Sequence, residues 1–155
     1  MYTALAIGIF LMTFIGMEFM AWFTHKYVMH GFLWYLHADH HHKKHKSWWE
    51  RNDAFFLFYA AISIGCFLLW KYEIAWYGLS IGLGIFAYGA TYFLVHDIFI
   101  HQRFKIFKKT NNWYAQALRR AHKMHHKHLG KHDGECFGML VVPMKYYKQA
   151  RSQKS

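Results

Sequence analysis

The chain has 155 residues, of which 55% are hydrophobic and 21% aromatic, and it carries a formal net charge of +11. This composition is too apolar for a disordered chain, and the length predicts a single domain over residues 1–155. A strongly basic chain can bind nucleic acid, but here the basic residues flank apolar runs and no nucleic-acid-binding motif is present. We therefore expect no nucleic-acid partner.

Three apolar runs predict an all-α integral membrane protein. The first run contains one acidic residue, Glu18, and the other two contain no charged residue. Because about 20 apolar residues cross a bilayer as a helix, we expect three transmembrane helices. The predicted spans cover about residues 3–23, 54–70 and 76–95. A tight turn at residues 71–75 separates the last two spans, and an alternative with four spans re-cuts residues 67–83.

The distribution of basic residues predicts the orientation of these spans. Of the 19 Lys and Arg residues, only Lys71 lies in the loop between the second and third spans, and the other 18 lie on the opposite side. Because short basic loops stay in the cytoplasm, residues 24–53 and 96–155 are expected to form a cytoplasmic helical cap, with the N-terminus outside. The expected location is the inner (cytoplasmic) membrane. No basic segment precedes the first run, so no cleaved signal peptide is expected.

Ten of the 14 histidines form a repeat on either side of the predicted hairpin of spans. Each half of the repeat contains an H-x4-H pair followed by an H-x2-H-H triplet. The first half consists of His25, His30, His37, His40 and His41. The second half consists of His96, His101, His122, His125 and His126. We predict these ten as metal ligands, and we expect the remaining four not to bind metal: His42, His45, His128 and His132.

The spacing of the repeat suits a metal centre, because imidazole is the commonest side-chain metal ligand. Residues three and four apart share one face of a helix, so each triplet can serve one metal or two adjacent metals. Residues five apart diverge by roughly 140° on a regular helix. Either a π-bulge realigns each H-x4-H pair, or its two members serve different metals. Ten imidazoles exceed the about four to six ligands of one first-row metal, so we predict two metal ions.

Acidic residues close to the repeat are candidates for orienting its imidazoles, since metal-bound histidines usually donate their second N–H to an oxygen. Asp97 lies four residues before His101, on the same helical face, and is expected to orient that ring. Glu18 lies seven residues before His25, and an acid within a span is a functional candidate. No catalytic residue is predicted beyond the metal site, and no nucleotide or organic-cofactor motif is present.

Two helix starts can be predicted from capping residues. Asn52 and Asp53 precede the second span, where an N-cap is expected and a role at the metal site is the alternative. A helix that carries the second triplet is predicted over residues 111–129, because asparagines precede it and Gly130 follows it.

Several segments resemble the bacterial beta-carotene 3-hydroxylases, a family within the fatty acid hydroxylase and sterol desaturase superfamily of membrane non-haem di-iron enzymes. The resemblance covers about residues 16–143 and rests on GMEFMAW, HKYVMHG, HADHH, HDIFIHQR, and AHKMHH followed by GECFGML. The stretch HDGECFGML departs from the family pattern, in which the segment before Phe-Gly is more often slightly longer.

The resemblance implies an O2-dependent monooxygenase whose ten histidines hold two irons, with zinc able to replace iron during purification. The implied reaction hydroxylates C3 of the β-ionone rings of β-carotene, giving β-cryptoxanthin and then zeaxanthin. The implied partners are a carotenoid substrate taken from the bilayer and an electron donor of the ferredoxin or ferredoxin-reductase type.

Two alternative functions stay open. A carotenoid 4-ketolase, or another lipid hydroxylase or desaturase of the same superfamily, would use the same chemistry. A histidine-rich membrane metal transporter belongs to a different class. A transporter is expected to place its ligands near the bilayer midplane, whereas these histidines lie at the predicted helix ends.

Overall fold

The computed structural model describes residues 2–42, 48–104, 106 and 109–152, and its regular structure within these ranges is entirely helical. The α-helices in chain order are α1 (Tyr2–Phe23), α2 (Trp34–His41), α3 (Asp53–Lys71), α4 (Gly78–Tyr92), α5 (Trp113–His125) and α6 (Met144–Ser152). Two π-helical segments directly continue α1 and α4, at Thr24–Phe32 and Phe93–Ile100 respectively. The all-α prediction is therefore confirmed for this part of the chain.

Among the described residues, three helical units are long and apolar enough to cross a membrane: Thr3–Phe32, Asp53–Lys71 and Gly78–Ile100. The three-span prediction is confirmed in number and in approximate position. The third span begins at Gly78 rather than at residue 76, because the turn after α3 continues through Tyr77. The four-span alternative is wrong, since residues 72–77 interrupt the helix that it requires.

Small residues on α4 let this helix pack closely between α1 and α3. A Cβ atom at Gly84 would lie 2.7 Å from the Thr13 side chain of α1, and one at Gly78 would lie 2.5 Å from the Cys66 carbonyl oxygen of α3. Close approach of backbones through small residues is typical of helix pairs in membranes. The bundle of α1, α3 and α4 therefore holds the two π-helical segments at fixed positions.

The helices α5 and α6 pack against each other and complete the cap over the histidines. Asn112 caps α5 by accepting a hydrogen bond from the Ala115 N–H at 3.1 Å. The predicted helix is therefore present but shorter, Trp113–His125 instead of residues 111–129. The sequence patterns do not predict α6, because this helix has nine residues and is mostly polar. A small buried cluster joins the two helices: Ala117, Leu118, Ala121, Val142, Tyr146 and Ala150.

Glu18, the acid of the first span, anchors the segment that precedes α6. Its Oε1 accepts hydrogen bonds from the backbone N–H groups of Met139, Leu140 and Val141, at 2.9, 2.9 and 3.0 Å. Its Oε2 accepts a fourth hydrogen bond, from the Tyr88 hydroxyl at 2.7 Å. These four donors offset the unfavourable free energy of a carboxylate inside a membrane-spanning helix.

The expectation that Glu18 directly supports an imidazole is therefore wrong. Glu18 and His25 are seven residues apart on one helix, which corresponds to about 10 Å of rise. The carboxylate contacts Tyr88 and the backbone of residues 139–141 instead. Its effect on the histidines is indirect, because the anchored segment follows Phe137, whose carbonyl oxygen accepts a hydrogen bond from His25 Nδ1 at 3.0 Å.

Replacing Glu18 by Ala is expected to destabilise the protein by several kcal/mol. Three backbone N–H groups would lose their acceptor, at about 1–3 kcal/mol each. The measurement is thermal unfolding of the purified protein in detergent. Tyr88→Phe is the matched control, because it removes one donor and leaves the three N–H groups paired. Equal melting temperatures for the two variants would contradict the anchoring role.

Candidate metal centre

Each H-x4-H pair lies in one of the two π-helical segments, where residues five apart face the same side. In the second segment the His101 N–H donates to the His96 carbonyl at 2.8 Å, across five residues. The ring centroids of His96 and His101 are 4.5 Å apart, and those of His25 and His30 are 5.2 Å apart. A π-helical turn therefore brings the two histidines of each pair to the same side, as one of the two sequence interpretations expects.

Ring nitrogens of nine predicted ligands converge in two groups, and within each group they lie within 4.8 Å of one another. The first group contains His25, His30, His37, His41 and His125. The second group contains His40, His101, His122 and His126. Across the described ranges, neither group includes a carboxylate or thiol atom. The arrangement therefore offers nitrogen ligands for two metal ions.

The tenth predicted ligand, His96, packs against the second group, and we count it with that group. Its ring centroid lies 4.8 Å from those of His40 and His122 and 4.5 Å from that of His101. Its nitrogens do not enter the 4.8 Å cluster. His96 therefore belongs to the second group by ring contact and not by an inward-facing nitrogen atom.

Each group takes four histidines from one half of the repeat and one histidine from the other half. Four members of the first group come from the first half, and the fifth is His125, the middle histidine of the second triplet. The second group takes four members from the second half, and its fifth is His40, the middle histidine of the first triplet. On a helix the outer histidines of a triplet lie about 40° apart, and the middle one lies about 60–100° to one side. Each triplet therefore serves both groups.

Every imidazole of the first group has its Nδ1 atom fixed by an uncharged oxygen. The Nδ1 atoms of His25, His30, His41 and His125 donate to the backbone carbonyls of Phe137, Lys131, His128 and Glu135, at 3.0, 3.1, 3.1 and 2.8 Å. The fifth imidazole, His37, donates to Asn52 Oδ1 at 2.7 Å. Because these oxygens only accept, each Nδ1 carries the proton and each Nε2 presents a lone pair.

The Nε2 lone pairs of the first group face one another. Nε2 of His37 lies 3.2 Å from Nε2 of both His25 and His41. Nε2 of His30 lies 3.2 Å from Nε2 of His125. No proton is available between these paired nitrogens, so they cannot form hydrogen bonds with one another while the rings are neutral. Convergent lone pairs need a cation as their partner, and the donor set therefore fits a metal ion.

The second group has the same inward arrangement. Nε2 of His101 lies 2.8 Å from Nε2 of His122. The Nε2 atoms of His40 and His126 are buried and have no hydrogen-bond partner in the described structure. Nδ1 of His40 donates to the Glu50 carboxylate at 2.6 Å, which leaves Nε2 as its ligand atom. This donor set also fits a metal ion.

Burial keeps the imidazoles neutral and therefore able to bind metal. It lowers the pKa of His41 to about 4, of His125 to about 3 and of His126 to about 2, and neighbouring imidazoles add to the effect. Burial also lowers the pKa well below its ordinary value for His37, His40 and His122. Metal binding requires the unprotonated ring, so at neutral pH these imidazoles release no proton when a metal binds.

Asn52 supports the histidines and does not cap α3. Its φ and ψ of −55° and −26° are helical, and its side chain makes no capping hydrogen bond. The N-cap prediction for Asn52 is therefore wrong, because its Oδ1 accepts from His37 instead. Asp53, the other candidate, contacts no described histidine. It accepts hydrogen bonds from the Glu50 N–H at 3.0 Å and from Arg103 Nη2 at 2.9 Å.

Asp97 contacts His96 and not His101. Its Oδ2 lies 3.4 Å from His96 Nδ1, and its Oδ1 lies 2.9 Å from Arg103 Nε. The predicted contact with His101 assumed about 3.6 residues per turn. The wider π-helical turn moves residues four apart off a shared face and aligns residues five apart, so His101 faces His96 instead of Asp97.

Glu50 contacts His40, and Arg103 contacts the carboxylates beside the centre; no sequence signal predicts either residue. Glu50 reaches His40 from a stretch without helical periodicity, so the spacing between the two is uninformative. The Arg103 guanidinium lies 3.1 Å from Glu50 and 2.9 Å from Asp53. Burial raises the pKa of the Glu50 carboxyl, and the Arg103 charge counteracts that rise. Side-chain patterns also do not predict the backbone carbonyl acceptors within residues 128–137.

The histidines outside the repeat do not enter either group where the structure describes them. His132 is exposed, and His42 is half-buried. His128 contributes its backbone carbonyl, which accepts from His41 Nδ1. The remaining one, His45, lies outside the described residues.

An apolar cavity of about 200 Å³ lies between α1, α3 and α4 and reaches the first group at His25. Phe55 and Ile85 are among the apolar side chains that line it. The hydroxyls of Thr24 and Tyr59, which also line it, hydrogen-bond to each other at 2.6 Å. An apolar molecule in the membrane region can therefore reach the position where the first group would hold a metal.

Comparison with known proteins assigns the family. The model of the fatty acid hydroxylase family matches residues 10–144, which is most of the chain. The chain belongs to the fatty acid hydroxylase family. The predicted superfamily is thus confirmed, and the metal-transporter alternative has no support.

Relatives of this hydroxylase carry the name beta-carotene hydroxylase. This chain is 40% identical to the beta-carotene hydroxylase from Pantoea ananas over 134 residues, which cover 84% of this chain and 74% of that protein. It is 34% identical to one from a Paracoccus species, over 84% of this chain and 80% of that protein. A chloroplastic beta-carotene hydroxylase 2 of Capsicum annuum is 34% identical over 83% of this chain and 42% of its own length. No solved structure matches the chain.

Replacing Asn52 by Ala is expected to weaken metal binding by the hydroxylase about 10- to 100-fold, because His37 loses the oxygen that fixes its ring. The measurement is titration of the purified, metal-free protein with cobalt(II) against a competing chelator. Arg51→Ala is the matched control, since Arg51 is exposed and its side chain contacts no described histidine. Unchanged affinity in Asn52→Ala would contradict the orienting role.

Proposed function

We propose that this chain hydroxylates C3 of the β-ionone rings of β-carotene, giving β-cryptoxanthin and then zeaxanthin. Relatives named beta-carotene hydroxylase, similar over most of the chain, support the substrate. The observation that carries the proposal is the meeting of an apolar membrane cavity with convergent imidazole nitrogens at His25. This junction suits an apolar polyene that is dissolved in the bilayer and must reach a metal centre.

The ten histidines of the repeat are proposed to hold two irons, one in each group, with O2 as co-substrate. When bound, the irons supply the reduction of O2 and the cleavage of an unactivated C–H bond, which side chains alone do not perform. A ferredoxin or ferredoxin-reductase type protein is the proposed electron donor. Zinc suits the same imidazoles but has no redox chemistry, so zinc-loaded protein would be inactive. The inward nitrogen atoms of nine of these histidines, in two groups, support two ions, and His96 is included because its ring packs against the second group.

The residues of the chain position the substrate and exclude water. Apolar side chains such as Met17, Phe55 and Ile85 surround the cavity and suit the ring end of a carotenoid. Thr24 and Tyr59 share one hydrogen bond beside His25, so each hydroxyl keeps a polar partner when an apolar guest is bound. The oxygens bonded to the Nδ1 atoms hold the imidazoles in fixed orientations and leave their Nε2 atoms as ligands.

The proposed location is the inner (cytoplasmic) membrane, with the metal centre on the cytoplasmic face and the N-terminus outside. The three helical units and the placement of 18 of the 19 basic residues on one side support this orientation. A soluble electron donor in the cytoplasm would then approach the side of the protein that carries the histidines.

Cells that accumulate β-carotene and express this chain are expected to form zeaxanthin, with β-cryptoxanthin as the intermediate. His126→Ala should abolish the conversion by removing a proposed ligand of the second group. The matched control is His132→Ala, an exposed histidine outside both groups, which should keep it. The measurement is chromatographic identification of the pigments. Ketolated carotenoids as the main product would reject 3-hydroxylation, and equal loss in both variants would reject the ligand assignment.

A reporter fused after Ser155 is expected to lie in the cytoplasm, and one inserted at Tyr72 is expected to lie outside. The reason is that α4 and its π-helical continuation separate the two positions by one crossing. Paired reporters that are active on opposite sides of the membrane measure this directly. Two reporters on the same side would reject the three-span topology.

A further inference from the structure

The two histidine groups have different outer partners. In the first group all five Nδ1 atoms donate to uncharged oxygens, four backbone carbonyls and one amide. In the second group carboxylates contact two rings. Glu50 accepts from His40 at 2.6 Å, and Asp97 lies 3.4 Å from His96. The two groups are therefore alike in their imidazoles and unlike in the charge behind them.

His125 and His40, the two histidines that join the group of the opposite half of the repeat, allow a matched comparison of the oxygen bonded to Nδ1. His125 Nδ1 donates to the Glu135 backbone carbonyl at 2.8 Å, and His40 Nδ1 donates to the Glu50 carboxylate at 2.6 Å. Both residues are almost completely buried, at 0% and 1% exposure. A charged acceptor forms the shorter and stronger hydrogen bond, and it raises the basicity of the ligand nitrogen on the same ring. His40 is therefore the stronger donor of the pair toward a cation.

The half-buried Arg103 guanidinium holds in place the two carboxylates that contact rings of the second group, Glu50 and Asp97. Arg103 Nη2 lies 3.1 Å from Glu50 Oε2, and Arg103 Nε lies 2.9 Å from Asp97 Oδ1. The same Nη2 atom lies 2.9 Å from Asp53 Oδ1, and the Arg103 side chain is only 11% exposed. One positive charge among three carboxylates leaves negative charge beside the second group. That charge acts with less screening than it would at a fully exposed surface.

We propose that the second group is the tighter of the two metal sites, because Glu50 and Asp97, positioned by Arg103, place negative charge behind its imidazoles. This inference rests on the proposed dinuclear centre. Among the described histidines of the repeat, carboxylates contact His40 and His96, so the effect falls on the second group. The first group borders the cavity through His25 and binds its ion with uncharged support.

The test is a titration of the metal-free, full-length protein in lipid nanodiscs with cobalt(II), against a chelator of known affinity. Wild-type protein is expected to bind two ions in steps that differ at least about tenfold. His101→Ala should remove the tight step and His25→Ala the weak one, which assigns each step to a group. Glu50→Gln keeps the side-chain shape and loses the charge. It should weaken only the tight step, by about 10- to 100-fold.

Two further measurements separate this electrostatic role from a merely structural one. Asn52→Asp places a carboxylate on His37 in the first group and should strengthen the weak step. The Mössbauer spectrum of protein loaded with isotopically enriched ferrous iron should show two signals of equal area, and Glu50→Gln should shift one of them. A structural defect in Glu50→Gln would instead weaken both steps.

Three results would overturn the proposal. Equal affinities of the two ions in wild-type protein would show that the charge does not matter, and the dinuclear centre would still stand. Equal weakening of both steps in Glu50→Gln would show that Glu50 maintains the fold, again without affecting the dinuclear centre. Binding of fewer than two cobalt ions by wild-type protein would reject the dinuclear centre itself, and the inequality with it.

Discussion

The hydrogen bond from imidazole Nδ1 to a fixed oxygen is the interaction on which the rest of the centre depends. In the first group all five rings make this bond, and each bond sets both the tautomer and the direction of its ring. The consequence is that five Nε2 lone pairs converge within 4.8 Å. Neutral imidazoles held in this way have no proton to share, so their mutual repulsion is relieved by a cation. The parts of the fold that supply the oxygens are therefore as important as the helices that carry the rings.

Most of these oxygens come from the backbone segment between α5 and α6. This segment turns through residues with left-handed backbone at Asp133 and Cys136, with φ of +62° and +64°, an uncommon conformation for side chains other than glycine. Its far end is tied to the first span by the Glu18 carboxylate, which accepts three consecutive N–H groups. An acid within the first span thus stabilises the loop whose backbone oxygens orient the imidazoles of the first group.

The sequence predicts the spans and the ten histidines, because hydropathy and ligand spacing are local patterns. It does not predict how the H-x4-H pairs are arranged, since both a π-helix and separate metals are consistent with that spacing. The π-helical turn also explains why Asp97 contacts His96 and not His101. Glu50, Arg103 and the carbonyl acceptors come from irregular segments, where the contacts are set by tertiary packing. Family resemblance supplies the expected chemistry, and the geometry supplies the division of the histidines into two groups.

Nitrogen coordination of two irons by the two groups is tested most directly by X-ray absorption at the iron edge, combined with metal analysis of the same iron-loaded sample. We expect two irons per chain. The first coordination shell should be mainly nitrogen, with the outer-shell scattering typical of imidazole rings. One iron per chain, or a first shell dominated by oxygen or sulfur, would contradict the assignment of the two histidine groups as a dinuclear metal centre.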